Sequence, residues 1–278
     1  MVWQISGFGD EITDLFPEQL RHMTELGIPF IEIRQFQLPG GDKKVIVDAT
    51  PEDLGGIASA LAEAGMRCSA IGSPVGKYQI DAPFEGDLER FRGALRAALR
   101  LEAPYIRIFS YYPPECGDIR AHRDEVMRRL AKLCEVARDE APGVTLALEN
   151  ESDLYGETPE GCLDVLQTVD SSNLGMAFDP CNFVVAGVDT MTQAWPLLKD
   201  YVRYFHVKDA TEDHTMVPAG HGLANWKALL EEAEAEQIGD YLSLEPHLKV
   251  RAKSYGVTGP ELFATAKQAL DELLSGTG

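Results

Sequence analysis

Two stretches decide the architecture: Val144-Thr145-Leu146-Ala147-Leu148-Glu149 and Leu174-Gly175-Met176-Ala177-Phe178-Asp179. Side chains on a strand alternate between its two faces. In the first stretch Val144, Leu146 and Leu148 share one face, and Thr145, Ala147 and Glu149 the other. In the second, Leu174, Met176 and Phe178 oppose Gly175, Ala177 and Asp179. Large aliphatic rows suit a surface covered by helices, whereas small residues suit the crowded inside of a closed barrel. Each small-residue row ends in a carboxylate. Residues 241–245 repeat the pattern, with Leu242 and Leu244 opposing Tyr241, Ser243 and Glu245, and Val202-Arg203-Tyr204-Phe205-His206 closes on an imidazole.

Working outward, strand-like runs begin near Val2, Phe30, Met66, Tyr105, Val144, Leu174, Val202 and Tyr241. Amphipathic stretches near 17–26, 52–64, 87–101, 122–140, 159–168, 190–199, 225–236 and 259–274 separate them. Eight strands, each followed by a helix, require parallel pairing through right-handed crossovers. The pattern predicts a single-domain (β/α)8 TIM barrel over residues 1–278, and that length is usual for one such barrel. Thr50-Pro51 and Thr158-Pro159 place a capping hydroxyl before a proline at the first helical position, and Thr258 and Glu261 have capping-box spacing. An open dinucleotide-binding sheet is the competing topology. Its Gly-rich turn is absent: Ser6-Gly7-Phe8-Gly9-Asp10-Glu11 lacks the third glycine and is acidic where phosphates would lie.

Composition narrows the function. The formal net charge is −20, which repels nucleic-acid backbones and anionic lipid, although one cleft can still be locally basic. No apolar run approaches the roughly 18 to 20 residues needed to cross a bilayer. The N-terminal residues read as a strand and not as a signal peptide. Five scattered cysteines, odd in number and without a CxxC pair, fit a reducing cytoplasm. The expectation is a cytoplasmic protein with neither nucleic-acid nor membrane partners.

Glu149, Asp179, His206 and Glu245 thus sit at the carboxyl ends of four neighbouring strands, the catalytic end of a TIM barrel. Singly, each has a plain explanation: Asp179 before Pro180 as a turn or cap residue, His206 as a hydrogen-bonded core histidine, either glutamate as a paired barrel carboxylate. Together, three carboxylates that close repel one another unless a cation lies between them. Three oxygen donors and one imidazole suit Mn2+, Mg2+ or Co2+, with Mn2+ first, better than a closed zinc site. Other candidates are Glu32 and Arg34 on one face of strand two, and Tyr105, Arg107 and Phe109 on one face of strand four. Arg34 and Arg107 either pair with lumen carboxylates or bind substrate. Lys208 and His247 either touch substrate hydroxyls or are solvated. Trp3 lines the pocket or packs in the core. The long segments 35–49 and 210–224 are expected to be functional loops.

Phe178-Asp179-Pro180, His206-Val207-Lys208-Asp209 and Leu244-Glu245-Pro246, together with the tetrad, resemble the xylose isomerase-like TIM-barrel superfamily. Within it they resemble the sugar phosphate isomerase/epimerase group, which includes ketose 3-epimerases. The likeness extends from Gly7-Phe8-Gly9-Asp10-Glu11 to Gly259-Pro260-Glu261-Leu262-Phe263. It implies that Glu149 and Glu245 are ligands that also exchange protons, that Asp179 and His206 are ligands only, and that the protein is a dimer or tetramer. It also implies substrate contacts at Asn182, where ketose epimerases commonly have histidine, and at His221, which stands in a Gly-Glu-Gly position. Those two departures imply a substrate other than a plain ketohexose. The expected activity is a metal-dependent sugar isomerase or epimerase that removes and returns a proton beside a carbonyl, through an enediolate, on a small carbohydrate. The alternatives are a lyase or hydratase of a keto-sugar or keto-glycoside, an apurinic-site endonuclease, and a non-catalytic sugar-binding barrel. The endonuclease needs more histidines than the six present and a basic groove. Residues 220–222 are a candidate phosphate cradle.

Overall fold

The computed structural model describes residues 3–249 and 258–276. Its strands are β1 (Gln4–Gly7), β2 (Phe30–Ile33), β3 (Arg67–Gly72), β4 (Tyr105–Ile108), β5 (Thr145–Glu149), β6 (Leu174–Phe178), β7 (Val202–Val207) and β8 (Tyr241–Leu244). They pair in parallel in the order β1-β8-β7-β6-β5-β4-β3-β2, and a parallel bridge between Phe8 and Glu32 joins the two ends of the sheet. This is the (β/α)8 barrel. The strand starts agree with the sequence reading to within a residue from β2 onward, and Val2 lies outside the described residues.

The helices are α1 (Phe16–Glu25), α2 (Pro51–Ala64), α3 (Phe84–Leu101), α4 (Arg123–Glu140), α5 (Pro159–Val169), α6 (Pro180–Val185), α7 (Trp195–Leu198), α8 (Trp226–Glu236) and α9 (Pro260–Gly276). Local chemistry sets several ends. Thr50 and Asp53 form a reciprocal capping box at α2, and the Thr158 hydroxyl accepts from the Gly161 amide at α5. The segment expected as a helix over 190–199 is instead a π-helical turn, Thr190–Ala194, running into the short α7, because Pro196 interrupts the hydrogen-bond ladder. The short α6 was not anticipated.

The core has two main parts. Aliphatic faces of the strands pack against the helices in one continuous cluster, which includes Trp3, so the core explanation holds for that residue. Inside the barrel, Phe30, Ala70, Tyr105, Ala147, Ala177, Tyr204 and Tyr241 form a separate plug, in which the alanines of β3, β5 and β6 make room for the aromatic rings of the other strands. The plug floors the site, leaving the polar ends of the same rows facing the mouth.

Both long loops carry a short antiparallel ribbon, Gln35–Phe36 with Lys44–Val45 and Asp209–Ala210 with Met216–Val217. Asp209 clasps the second loop: its carboxylate accepts from the amides of Ala210, Gly220, Gly222 and Ala224 at 2.9 to 3.0 Å. A Cβ at Gly222 would meet Asp209 Oδ1 at 2.3 Å and Ala210 O at 2.4 Å, so only glycine permits this wrapping. The amides of Gly220 and Gly222 are therefore committed to Asp209, and the phosphate-cradle expectation for 220–222 fails. No helix among the described residues is long and apolar enough to cross a membrane.

Candidate metal centre

Glu149, Asp179, His206 and Glu245 converge, all buried, with one donor atom from each within 4.8 Å of the others. Asp179 follows β6 and uses its two oxygens differently. Oδ1 accepts from the Asn182 amide at 2.9 Å and caps α6, while Oδ2 faces His206 Nδ1 at 4.0 Å. Cap and candidate ligand are thus the same residue. The Asn150 amide group brackets it, donating to Asp179 O at 2.8 Å and accepting from Asp179 N at 3.0 Å.

His206 lies within β7, one residue before its end, with Nδ1 turned to the carboxylates. It is 3.0 Å from Glu149 Oε1 and 3.7 Å from Glu245 Oε2. Nε2 points the other way, 3.3 Å from Glu32 Oε2 and 3.2 Å from the Tyr204 hydroxyl. Glu32 is fully buried and also accepts from Tyr204 at 2.9 Å and Ser243 at 2.8 Å. It orients the imidazole from behind, the arrangement that fixes a metal-binding histidine. The sequence placed Glu32 in the lumen but did not connect it to His206, because the two are 174 residues apart.

Among the described residues, His206 Nδ1 and Asp179 Oδ2 are buried atoms without an aligned hydrogen bond, held only by the charges of Glu149 at 3.0 Å and Lys208 at 2.8 Å. Such atoms are costly unless something else satisfies them. Three oxygens and one nitrogen around them fit a divalent ion of the Mg2+, Mn2+ or Co2+ kind. A second group, Glu11, Glu245 and His247, shares Glu245. His247 Nδ1 lies 2.6 Å from Glu11 Oε1, an ion pair that explains that grouping without an ion.

Side-chain cations also hold the carboxylates. Lys208 Nζ lies 2.8 Å from Asp179 Oδ2 and 3.2 Å from Glu245 Oε2. Arg34 donates to Asp10 at 2.8 Å and to Glu245 at 2.7 Å, and Arg107 donates to Glu149 at 3.1 Å. Burial works against the His206 cation, yet Glu149 and Glu32 outweigh it and lift its pKa to about 10. Burial also works against charge on Glu149, but His206 and Arg107 bring it down to about 2. Asp179 is pushed up to about 6, chiefly by burial, with Lys208 opposing.

An ion bound at this site would have to displace the His206 proton. Apparent affinity is expected to rise about tenfold per pH unit below pH 10, and more steeply below pH 6, where Asp179 also carries a proton. Calorimetric titration across pH measures this slope, and a flat profile would contradict it. The raised pKa of His206 stabilises the metal-free fold fully below its ordinary value of 6.5, and that contribution is lost as pH rises through about 10. Glu32→Gln is expected to weaken metal binding about 10- to 100-fold without touching the ion; unchanged affinity would show that Glu32 only packs.

Above the tetrad lies a cavity of about 190 Å³ whose wall includes Arg34, Arg107, Glu149, Lys208, Glu245 and His247. His247 Nε2 is 3.6 Å from Glu245 Oε1, on a backbone with φ of 48°. Asn182 and His221 are not on that wall. Asn182 is buried on α6 and donates to Asn150 O at 2.8 Å and Glu149 Oε1 at 3.4 Å, supporting Glu149 from behind. His221 is exposed and lines a groove against α9 with Ala269 and Leu273, because the Asp209 clasp turns that part of the loop outward. Cys181 is buried, with its thiol raised, and lies against Met216, so it has no nucleophilic role to offer.

The fold and this constellation define a TIM barrel with a four-residue site suited to a divalent ion. The chain belongs to the xylose isomerase-like TIM barrel family, whose pattern matches residues 20–273. An uncharacterized protein of Methanocaldococcus jannaschii is 30% identical over 97 residues, and the match spans 33% of this chain and 32% of that relative's length. Among solved structures, an L-ribulose 3-epimerase is 17% identical with a TM-score of 0.75, covering 99% of this chain and 96% of its own. The probable 3-DHS dehydratase AsbF of Bacillus anthracis is 17% identical with a TM-score of 0.74, covering 98% and 99%. A xylose isomerase-like TIM barrel protein of Mycobacterium smegmatis, in complex with magnesium, is 16% identical with a TM-score of 0.75, covering 99% and 98%. At such identities the likeness speaks for the fold.

Proposed function

We propose that this chain is a divalent-metal-dependent isomerase or epimerase of a small keto-sugar-like substrate. The observation that carries the reading is a division within the tetrad. Glu149 and Glu245 line the cavity, whereas Asp179 and His206 lie behind it. Two carboxylates therefore face a substrate, and two groups remain for holding the ion alone. Arg107 donates to Glu149 and Lys208 to Glu245, so each glutamate has its own hydrogen-bonded cation. A bound divalent ion would supply Lewis acidity to the substrate's carbonyl and adjacent hydroxyl.

One glutamate takes the proton from the carbon beside the carbonyl. The other returns a proton from the opposite side, inverting that carbon, or to the neighbouring carbon, exchanging aldose and ketose. Arg34, Arg107 and Lys208 stabilise negative charge as it develops on the substrate's oxygens. The L-ribulose 3-epimerase among the structural neighbours is compatible with this chemistry.

A second reading, elimination, is favoured by His247. Its ring lies on the cavity wall beside Glu245, where it can give a proton to a departing oxygen. The probable dehydratase among the neighbours fits that reading. Incubating the Mg2+- or Mn2+-loaded protein with a keto-sugar panel in D2O, followed by proton NMR, tests both. Deuterium beside the carbonyl in a stereoisomer or aldose–ketose pair supports the first reading, and an unsaturated product supports the second. No exchange by any substrate with metal retained would refute both.

A further inference from the structure

Glu11 is fully buried, yet it belongs neither to the tetrad nor to the cavity wall. It follows β1 in the 3-10 turn Gly9–Glu11, and its carboxylate oxygens have separate partners. Oε2 accepts from the Thr258 hydroxyl, and the backbone oxygen accepts from the Gly259 amide at 2.8 Å. Those bonds fasten the start of α9 to β1 and account for half of the side chain. Oε1 is turned elsewhere: it lies 2.6 Å from His247 Nδ1 and 3.4 Å from Arg34 Nη2. Burial works against charge on Glu11, but the His247 ring and Arg34 hold it below the usual carboxylate range.

Arg34 and His247 converge in turn on one further atom. Arg34 Nη1 donates to Glu245 Oε1 at 2.7 Å, and His247 Nε2 lies 3.6 Å from the same oxygen. Glu11 and Glu245 thus face each other across a guanidinium and an imidazole, in a closed ring of four side chains. Other cations of the cavity wall have simpler company. Lys77, from the loop after β3, meets Glu151 at 2.7 Å, and Arg90 of α3 meets Asp48 at 3.5 Å. The second oxygen of Glu245 looks to the tetrad: Oε2 lies 3.2 Å from Lys208 Nζ and 3.7 Å from His206 Nδ1. The terminal torsion of a glutamate is broad and nearly two-fold, so an ungripped carboxylate swaps its oxygens readily. Two groups on Oε1 prevent that swap.

We propose that Glu11 is a positioning residue: through Arg34 and His247 it fixes Oε1 of Glu245 toward the cavity for proton transfer and leaves Oε2 to the ion. The proton-transfer half of this assignment rests on the isomerase reading. Glu11 touches neither substrate nor ion, and its effect is carried by charge. One anionic oxygen holds an imidazole N–H and a guanidinium together, as a neutral amide of the same shape does not. The bond made by one ring nitrogen of a histidine sets the role of the other. With its Nδ1 proton directed to Glu11, His247 presents Nε2 to Glu245 and the cavity.

The test begins on the unaltered full chain, loaded with Mg2+ and labelled with 15N in histidine, at one fixed pH. The His247 ring, assigned by the signals lost in His247→Gln, is expected to carry a far-downfield, slowly exchanging proton on Nδ1. A bare Nδ1 would overturn the proposal, and fastening of α9 alone would not place a proton there. Conversion of a keto-sugar by the Mg2+-loaded protein is then followed in Glu11→Gln, or in Glu11→Asp, whose carboxylate falls short of His247, if the glutamine variant melts early. kcat is expected to fall about 10- to 100-fold, as misplacing a reacting group by about an ångström does, with KM and Mg2+ affinity held within about threefold. In the Glu245→Gln background the same substitution is expected to slow conversion no further, because the group it positions is already gone. An unchanged kcat, a full additional loss in that background, or a Mg2+ affinity that falls in step with kcat would overturn the proposal. An Nδ1 proton in a protein that exchanges no substrate sinks the isomerase reading and leaves Glu11 as the holder of His247. A bare Nδ1 in a protein that does exchange sinks this inference alone.

Discussion

Glu149→Gln and Glu245→Gln are each expected to slow conversion of substrate to product by about 10²- to 10⁴-fold, the range that loss of a positioned acid or base produces. Glutamine keeps a carbonyl oxygen where the carboxylate ligand was, so the ion is held more weakly but not lost. It cannot accept a proton, and that is the function under test. The neighbouring cations sharpen the expectation. Arg107 holds Glu149 and Arg34 and Lys208 hold Glu245, so each glutamate is ionised and oriented before substrate arrives. A rate near that of the unaltered protein in either variant, with metal content unchanged, would remove that glutamate from the chemistry. An epimerase loses turnover in both variants. One variant inactive and the other retaining exchange of substrate with solvent would separate the group that removes the proton from the group that returns it.

The second large effect concerns stability. Lys208→Met is expected to destabilise the metal-free protein by about 3 to 5 kcal/mol, the cost of breaking a buried ion pair from one side. Methionine preserves the buried stem, so the loss is one of charge. Asp179 and Glu245 are then left facing each other with less to separate them. For a chain of this size the change in melting temperature is on the order of 10 °C. Saturating Mg2+ is expected to restore most of it, because the ion supplies positive charge to the same two carboxylates. Equal destabilisation with and without Mg2+ would show that Lys208 acts through packing alone, and no change in either form would show that its ion pairs contribute nothing.

Much of this was legible in the chain because the barrel has a period. Alternation along a strand assigns each residue to lumen or helix face, and Ala147 and Ala177 do lie in the lumen plug. The same parity sets Glu149 and Asp179 at the mouth, and convergence of four such residues is visible before any distance is known. Other features have no periodic signal. Lys77 comes from a loop and Arg90 from a helix, and the cavity wall is what joins them to the strands. Glu11, which follows β1, meets His247 only across the closure of the barrel. The resemblance alone brought His221 forward, and the glycines beside it let the backbone wrap on Asp209, which no periodic signal announces. Asp179 defeats an either-or reading, because one oxygen caps α6 while the other is turned to His206.

The wrapping of residues 210–224 has a kinetic consequence. A loop that swings over a substrate on each cycle must separate easily from its anchor, and such motions take microseconds to milliseconds. This one is tied at four amides to a single buried carboxylate, at the residue next to Lys208. Detaching it breaks four charge-assisted bonds together. It is a pinned loop and not a gate, so turnover at the neighbouring site would proceed without waiting for its motion.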